Sequence, residues 1–391
     1  MTNEEIFEEI KINNTTLKLG QAIKITYNKN NEIIDINELN INQEEYYNIF
    51  NNEGILKDYY NLAYEKLKTM SIDEKIGQIL FVRIPEDKEI TPIKDYNIGG
   101  YILFYKDTKN ETKESLKEKI NNYQINSKIP LLIATDEEGG TVVRVSKNKN
   151  LRNTPFKSPQ ELYNEGNMEK IKDDVKEKST LLTELGINVN FAPIADISTN
   201  ESDFIYERSI GLDTEGTKEY IKNVIEESKN YNVSYTMKHF PGYGNNQDTH
   251  TDVVYDNRQI DSIKENDLQP FKTGIDLKGE AIMISHNIIN NIDNTNPSSL
   301  SYKVHNLARK DLKFNGIIIT DDMDMQAITK YTNTPYINAI LSGNDMIILS
   351  KYKEAHDLIK ESINNDELKE DIINHAAFKV LSWKYYKGLI K

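Results

Sequence analysis

From Ser71 onward, eight short apolar runs recur along the chain, separated by longer stretches of mixed polarity. They are GQILFV (77–82), GGYILF (99–104), PLLIAT (130–135), VNFAPIA (189–195), VSYTMKHF (233–240), EAIMISH (280–286), NGIIIT (315–320) and NDMIIL (344–349). These runs do not alternate strictly with polar residues, which is the pattern of strands covered on both faces. Between them lie amphipathic segments such as EYIKNVIEESKN, where Tyr220, Ile221, Val224 and Ile225 share one helical face. Strand candidates that each lead into a helix candidate predict an α/β fold, a (β/α)8 TIM barrel. The main rival, a doubly wound open sheet, usually has about five or six strands.

Residues 1–66 follow a different pattern. QAIKITYNKNNEIIDI places Ile23, Ile25 and Tyr27 in alternation before an Asn-rich turn, which predicts a hairpin. An acidic, Tyr-rich stretch then acquires helical spacing through LKDYYNLAYEKLKTM. The expectation is a small N-terminal appendage over 1–66 and one catalytic-sized domain over 67–391. No internal repeat and no Pro/Ser-rich linker divides the remainder.

The formal net charge of −14 and the lack of a Lys/Arg cluster argue against a nucleic-acid partner. With no cysteine, disulfides, thiolate nucleophiles and Cys-held metals are excluded. No run of 18 apolar residues predicts a transmembrane helix. The opening MTNEEIFEEI lacks the basic and apolar regions of a signal peptide. It therefore predicts a protein kept inside the cell or one whose leader has been removed. The appendage inclines that expectation toward a processed, surface-associated protein.

In a barrel of this kind the active site lies at the C-terminal ends of the strands. Polar residues fall there repeatedly. Run three ends in Asp136 and Glu137, run four in Asp196, run five in Lys238 and His239, run six in Ser285 and His286, and run seven in Asp321 and Asp322. Agreement across five strands outweighs the general polarity of such loops. In ITDDMDM, Asp321 is the last residue of the strand pattern and should face the barrel mouth, whereas Asp322 is placed to cap the next helix. A carboxylate fixed at the mouth can attack an anomeric carbon, stabilise charge or bind a metal.

The segment KHFPGYGNNQDTHTD (238–252) has three readings: a solvated loop, a metal site or a wall of an active site. Asp248, His250 and Asp252 alternate in a manner that could hold a metal. However, no second ligand cluster of recognisable spacing accompanies them. The glycines of PGYG would free the loop to fold over the mouth and deliver His250 there, and a His–Asp pair is suited to acid/base work. Lys238 and His239 sit at the strand end, within reach of a sugar hydroxyl.

Taken together these residues resemble glycoside hydrolase family 3, in its β-N-acetylhexosaminidase (NagZ-type) branch. The resemblance rests on MSIDEKIGQILF, GGYILF, ATDEEGG, NVNFAPIADISTN, ERSIG, KHFPGYG, DTH, ISH, SSLS, ITDDMDM and SGNDMI, in that order, over roughly residues 66–391. It implies a retaining mechanism on a TIM barrel, with Asp321 as nucleophile, His250 as acid/base and Asp248 as its partner. A His–Asp dyad titrates nearer neutrality than a second carboxylate would beside the nucleophile. It also implies that Asp136 accepts hydrogen bonds from the bound sugar, with Arg144, Arg208, Lys238 and His239 as donors around the same subsite. No cofactor and no metal are expected.

Three departures are visible: Thr249 stands where the family usually has Ser, Thr141 where a basic residue is common, and RSI replaces RSF. The chain ends at Lys391, one helix pattern after strand eight, so no C-terminal second domain is expected. The catalytic acid is then expected from the barrel itself. The implied activity is exo-acting release of terminal β-linked N-acetylglucosamine from peptidoglycan fragments or chitooligosaccharides. The competing readings are a β-N-acetylglucosaminide phosphorylase, a β-glucosidase, or a non-catalytic wall-binding protein. Residues 1–66 offer a possible cell-wall attachment.

Overall fold

Strand and helix positions follow closely from where the apolar runs lie. The computed structural model describes residues 54–249 and 252–391, together with the backbone of four short strands nearer the N-terminus. Those four form two antiparallel pairs, Ile10–Ile12 with Thr15–Leu17 and Ile23–Tyr27 with Ile33–Glu38. The second pair is the hairpin predicted from the alternation of Ile23, Ile25 and Tyr27.

The eight apolar runs give eight strands: β1 (Leu80–Arg83), β2 (Gly100–Leu103), β3 (Leu132–Thr135), β4 (Val189–Asn190), β5 (Ser234–Phe240), β6 (Ala281–Ile284), β7 (Ile317–Asp322) and β8 (Met346–Leu349). Each pairs in parallel with its neighbours in chain order, and β8 closes on β1 through Ile348 and Phe81. This is the predicted (β/α)8 barrel. β4 is much shorter than its run, because Pro193 has no N–H to donate to a ladder. Beyond Asn190 the chain keeps contact with β5 through Pro193 O, which accepts from Lys238 N at 3.1 Å, and Ala195 N, which donates to Lys238 O at 2.6 Å.

The helices start where the sequence supplies caps. Helix α1 (Tyr60–Lys68) is followed by α2 (Ile72–Gln78), opened by a reciprocal box in which Ser71 Oγ takes the Glu74 N–H and Glu74 takes the Ser71 N–H. Helix α3 (Pro159–Leu185) begins with the same device from Ser158 and Glu161, with Pro159 in its first turn. Helix α4 (Thr214–Ser228) buries the predicted face of Tyr220, Ile221, Val224 and Ile225. The last helix, α5 (Glu370–Tyr386), plugs the base of the barrel, where buried Trp383 donates Nε1–H to Glu280 Oε2 at 2.9 Å. Tyr60 of α1 packs on Phe378 of α5 with ring centroids 5.1 Å apart, which fastens α1 to the base of the barrel. Among the described residues no helix is long and apolar enough to cross a membrane. The base is thus sealed, and the strand ends at the other face are left to form a site.

Candidate active site

The extension of β3 carries three consecutive acids with divided tasks. Glu137 points away from the mouth and accepts the N–H groups of Arg144 (2.9 Å), Val145 (2.7 Å) and Ser146 (3.1 Å), which fixes the loop that brings Arg144 to the mouth. Asp136 and Glu138, two residues apart, both line the cavity. Side chains alternate along an extended chain, so this division follows from the backbone.

Two cations meet these acids. Lys238 Nζ lies 2.8 Å from Asp136 Oδ1 and 2.6 Å from Glu138 Oε1. Arg208 grips Glu138 with both arms of its fork, Nε at 2.9 Å and Nη2 at 2.7 Å. Burial opposes the charged form of Glu138, but Arg208 and Lys238 outweigh it and hold the carboxyl well below the usual range. Burial likewise works against the Lys238 ammonium, and Asp136 and Glu138 outweigh it to raise its pKa. Arg144 completes the wall: its guanidinium lies 5.7 Å from the Phe104 ring, Arg83 stands 5.0 Å from the same ring, and Arg144 Nε is buried with no hydrogen-bond partner among the described residues.

His239 is oriented by Asp196. Asp196 Oδ2 accepts the His239 backbone N–H at 3.0 Å and lies 2.8 Å from Nδ1. On the other side, Arg208 Nη2 is 3.3 Å from Nε2. Arginine only donates, so Nε2 accepts and the ring proton sits on Nδ1 toward Asp196. His239 is thus held between Asp196 and Arg208. The Lys238–His239 peptide is cis, and both side chains line the cavity.

The PGYG turn is more constrained than its glycines suggested. Tyr243 N donates to Asp196 Oδ1 at 2.6 Å, and its hydroxyl oxygen accepts the Thr249 N–H at 2.8 Å and lies 2.9 Å from Thr249 Oγ1. A Cβ on Gly244 would lie 2.3 Å from the Arg258 guanidinium carbon, and one on Gly242 would lie 2.6 Å from Asp267 Oδ1. Both glycines have positive φ, +121° and +61° for Gly242 and Gly244. Gly244 admits Arg258 and Gly242 admits Asp267; Arg258 in turn donates to Gly242 O at 3.0 Å and bridges Asp256 and Asp267. Residues 241–244 and Thr249 are buried and hydrogen-bonded, whereas Asn245 and Gln247 between them are exposed. Burial raises the Tyr243 hydroxyl pKa, and the charges of Asp321 and Asp248 raise it further, so both carboxylates act on this one ring. His250 lies outside the described residues. Asp252 is exposed and pairs with Lys330 at 3.3 Å. Among the described residues no three His, Asp or Glu side chains are grouped to hold a metal.

The end of β7 supplies the remaining wall. Asp321 lines the same cavity as Asp136, Arg144, Arg208, Lys238 and His239. One of its oxygens, Oδ1, accepts the Asp322 N–H at 2.8 Å. Asp322 does not cap a helix: the next one, Gln326–Thr329, begins after Met325 with no side-chain cap. Instead Asp322 accepts the Asp324 N–H at 3.0 Å and pairs with Arg83 from the end of β1. Burial pushes its pKa up to about 6 against the pull of Arg83. His286, from the end of β6, lies 3.0 Å from the Asp322 carbonyl through Nε2 and 2.7 Å from Ser299 Oγ through Nδ1. A carbonyl only accepts, so Nε2 carries the proton.

Glu138 and Arg83 escaped the sequence reading. The alternation that separates Asp136 from Glu137 would have found Glu138. Arg83, the residue that follows the first apolar run, obeys the same strand-end rule as Lys238.

Comparison with known proteins is consistent across sequence and structure. The glycosyl hydrolase family 3 N-terminal domain matches residues 71–383. A beta-hexosaminidase of Haemophilus influenzae is 30% identical over 294 residues, spanning 74% of this chain and 81% of the relative. The beta-hexosaminidase LpqI of Mycobacterium tuberculosis is 25% identical over 329 residues, spanning 81% of this chain and 83% of the relative. A solved glycoside hydrolase family 3 beta-N-acetylglucosaminidase from Paenibacillus superposes with a TM-score of 0.77 at 25% identity, over 82% of this chain and 63% of the Paenibacillus chain.

Proposed function

We propose, for a chain that belongs to glycosyl hydrolase family 3, that it is a retaining, exo-acting β-N-acetylglucosaminidase. The observation that carries this reading is Asp321 lining one cavity with Asp136, Arg144, Arg208, Lys238 and His239. Such a set offers a single pyranose several donors and acceptors around one carboxylate.

In this reading His250, as imidazolium held by Asp248, gives its proton to the leaving oxygen while Asp321 attacks the anomeric carbon from the opposite face. The glycosidic C–O bond breaks and a glycosyl ester forms on Asp321. A water then loses its proton to His250 and attacks the same carbon, Asp321 departs, and two inversions leave the β configuration retained. Lys238 and Arg208, neutralised by Asp136 and Glu138, orient hydroxyls without competing as counter-ions for the nucleophile. The substrates would be peptidoglycan fragments or chitooligosaccharides, and residues 1–66 an accessory segment with wall attachment as its candidate role.

The test is nitrophenol release from 4-nitrophenyl N-acetyl-β-glucosaminide beside the matching β-glucoside, with chitobiose as a natural disaccharide. Wild type should prefer the N-acetyl sugar, and His250→Ala should lose about 100- to 10,000-fold on chitobiose. No activity on either sugar, or indifference to His250, would overturn the reading. Sugar 1-phosphate as the product in phosphate buffer would move it to a phosphorylase.

A further inference from the structure

Two ring contacts join three rings in a row leading outward from the cavity. His239 lines it, Tyr243 meets His239 edge-on at 5.6 Å, and Phe204 lies on Tyr243 at 5.5 Å with planes 39° apart. Burial changes sharply along this row: Tyr243 is 2% exposed and Phe204 37%. Beneath Phe204, Tyr243 packs with Ile194 and Ile205 in a small apolar cluster at the mouth, separate from the main core. Phe204 is also anchored from its own loop, because Ile205 is fully buried and the turn Tyr206–Arg208 delivers Arg208 to the cavity.

Single exposed apolar residues are ordinary, and Leu62 and Ile125, on outer helices, need no explanation. Phe204 differs in packing on a residue that belongs to the site. The side on which it stands is fixed by Tyr243, whose hydroxyl holds Thr249, the residue after Asp248. An acid that protonates the leaving oxygen has the departing sugar on its own side of the cleaved bond.

We infer that Phe204 is a binding platform for the leaving-group sugar, a specificity determinant for oligosaccharide substrates. A β-linked hexosamine in its chair form exposes a face of axial C–H groups, and a flat aromatic ring held from behind covers such a face with little loss of conformational freedom. This inference rests on the hydrolase reading above and adds the residue that recognises the second sugar.

The discriminating pair of substrates is N-acetyl-β-glucosaminyl fluoride, whose leaving group reaches no second subsite, and chitotriose. For Phe204→Ala the ratio of kcat/KM on chitotriose to that on the fluoride should fall about tenfold from wild type. Phe204→Trp should restore it, and Phe204→Leu, which keeps apolar volume without a ring face, should not. An unchanged ratio overturns the inference whether both rates hold or fall together, the latter marking a merely structural residue. If wild type turns over neither substrate, the hydrolase reading fails first, and that result is distinguishable from an unchanged ratio.

Discussion

Glu138, almost wholly buried, holds the guanidinium of Arg208 with both carboxylate oxygens, at 2.9 and 2.7 Å, at the wall of the cavity. The pair sets the electrostatics of the cavity, because the same carboxylate also takes Lys238 at 2.6 Å. Breaking a buried ion pair from one side costs about 3–5 kcal/mol, since the remaining charge is left without compensation. Glu138→Gln should therefore be destabilised by that order at neutral pH in urea unfolding. The sign of the pH dependence follows from the lowered Glu138 pKa. A depressed carboxyl stabilises the fold above its unfolded pKa, and that contribution is lost as pH falls. The gap between wild type and variant should narrow as pH drops below the ordinary carboxylate range.

His286 and Ser299 fix the backbone of Asp322, the residue that follows the proposed nucleophile. His286 donates Nε2–H to the Asp322 carbonyl at 3.0 Å and receives the Ser299 hydroxyl on Nδ1 at 2.7 Å. Misplacing a reacting group by about 1 Å can cost on the order of 100-fold in rate. His286→Ala should lower kcat on chitobiose by up to about that factor and change KM less, with partial recovery in His286→Gln.

Tyr243 donates its backbone N–H to Asp196 and accepts the Thr249 N–H on its hydroxyl, which ties the His239–Asp196 pair to the segment carrying Asp248. Tyr243→Phe keeps the ring contacts with His239 and Phe204 but strands the buried Thr249 N–H, at a cost of about 1–3 kcal/mol. Steady-state kinetics should show a lower kcat, and thermal unfolding a lower midpoint.

How far the sequence carries the fold and the site differs from place to place. The runs ending in Thr135, Phe240 and Thr320 were legible as strands because both of their faces are covered, and the residues after them as site residues because a barrel opens at that end. VNFAPIA was over-read as a strand because its apolar content hides the missing donor of Pro193. The demand for glycine at Gly244 is not legible locally, because it comes from Arg258, 14 residues further along the chain and beside it only once folded. Arg258 and Tyr243 act through contacts that no local pattern encodes. The pairing of Arg83 with Asp322 joins the first strand to the seventh, equally out of reach of periodicity.

Away from the site, His305 gives the base of the fold a pH response. Its Nδ1 donates to Ser301 O at 2.8 Å, and burial pulls its pKa down to about 4, with Arg309 adding to the effect against Asp345. A histidine depressed in the folded state takes up its proton first in the unfolded chain, so stability falls as pH is lowered from about 6.5 toward 4. His305→Asn preserves a donor to Ser301 without titrating. Over that interval it should lose about 3 kcal/mol less than wild type in urea unfolding.

The central claim, that Asp321 forms the covalent intermediate, is tested most directly by trapping it. The enzyme would be incubated with a 5-fluoro N-acetylglucosaminyl fluoride, digested, and its peptides mapped by mass spectrometry. The account predicts a single adduct, one sugar residue in mass, on the peptide containing Asp321, and none in Asp321→Asn. A labelled Asp322 or Asp136, or turnover without any adduct and with inverted product, would contradict it.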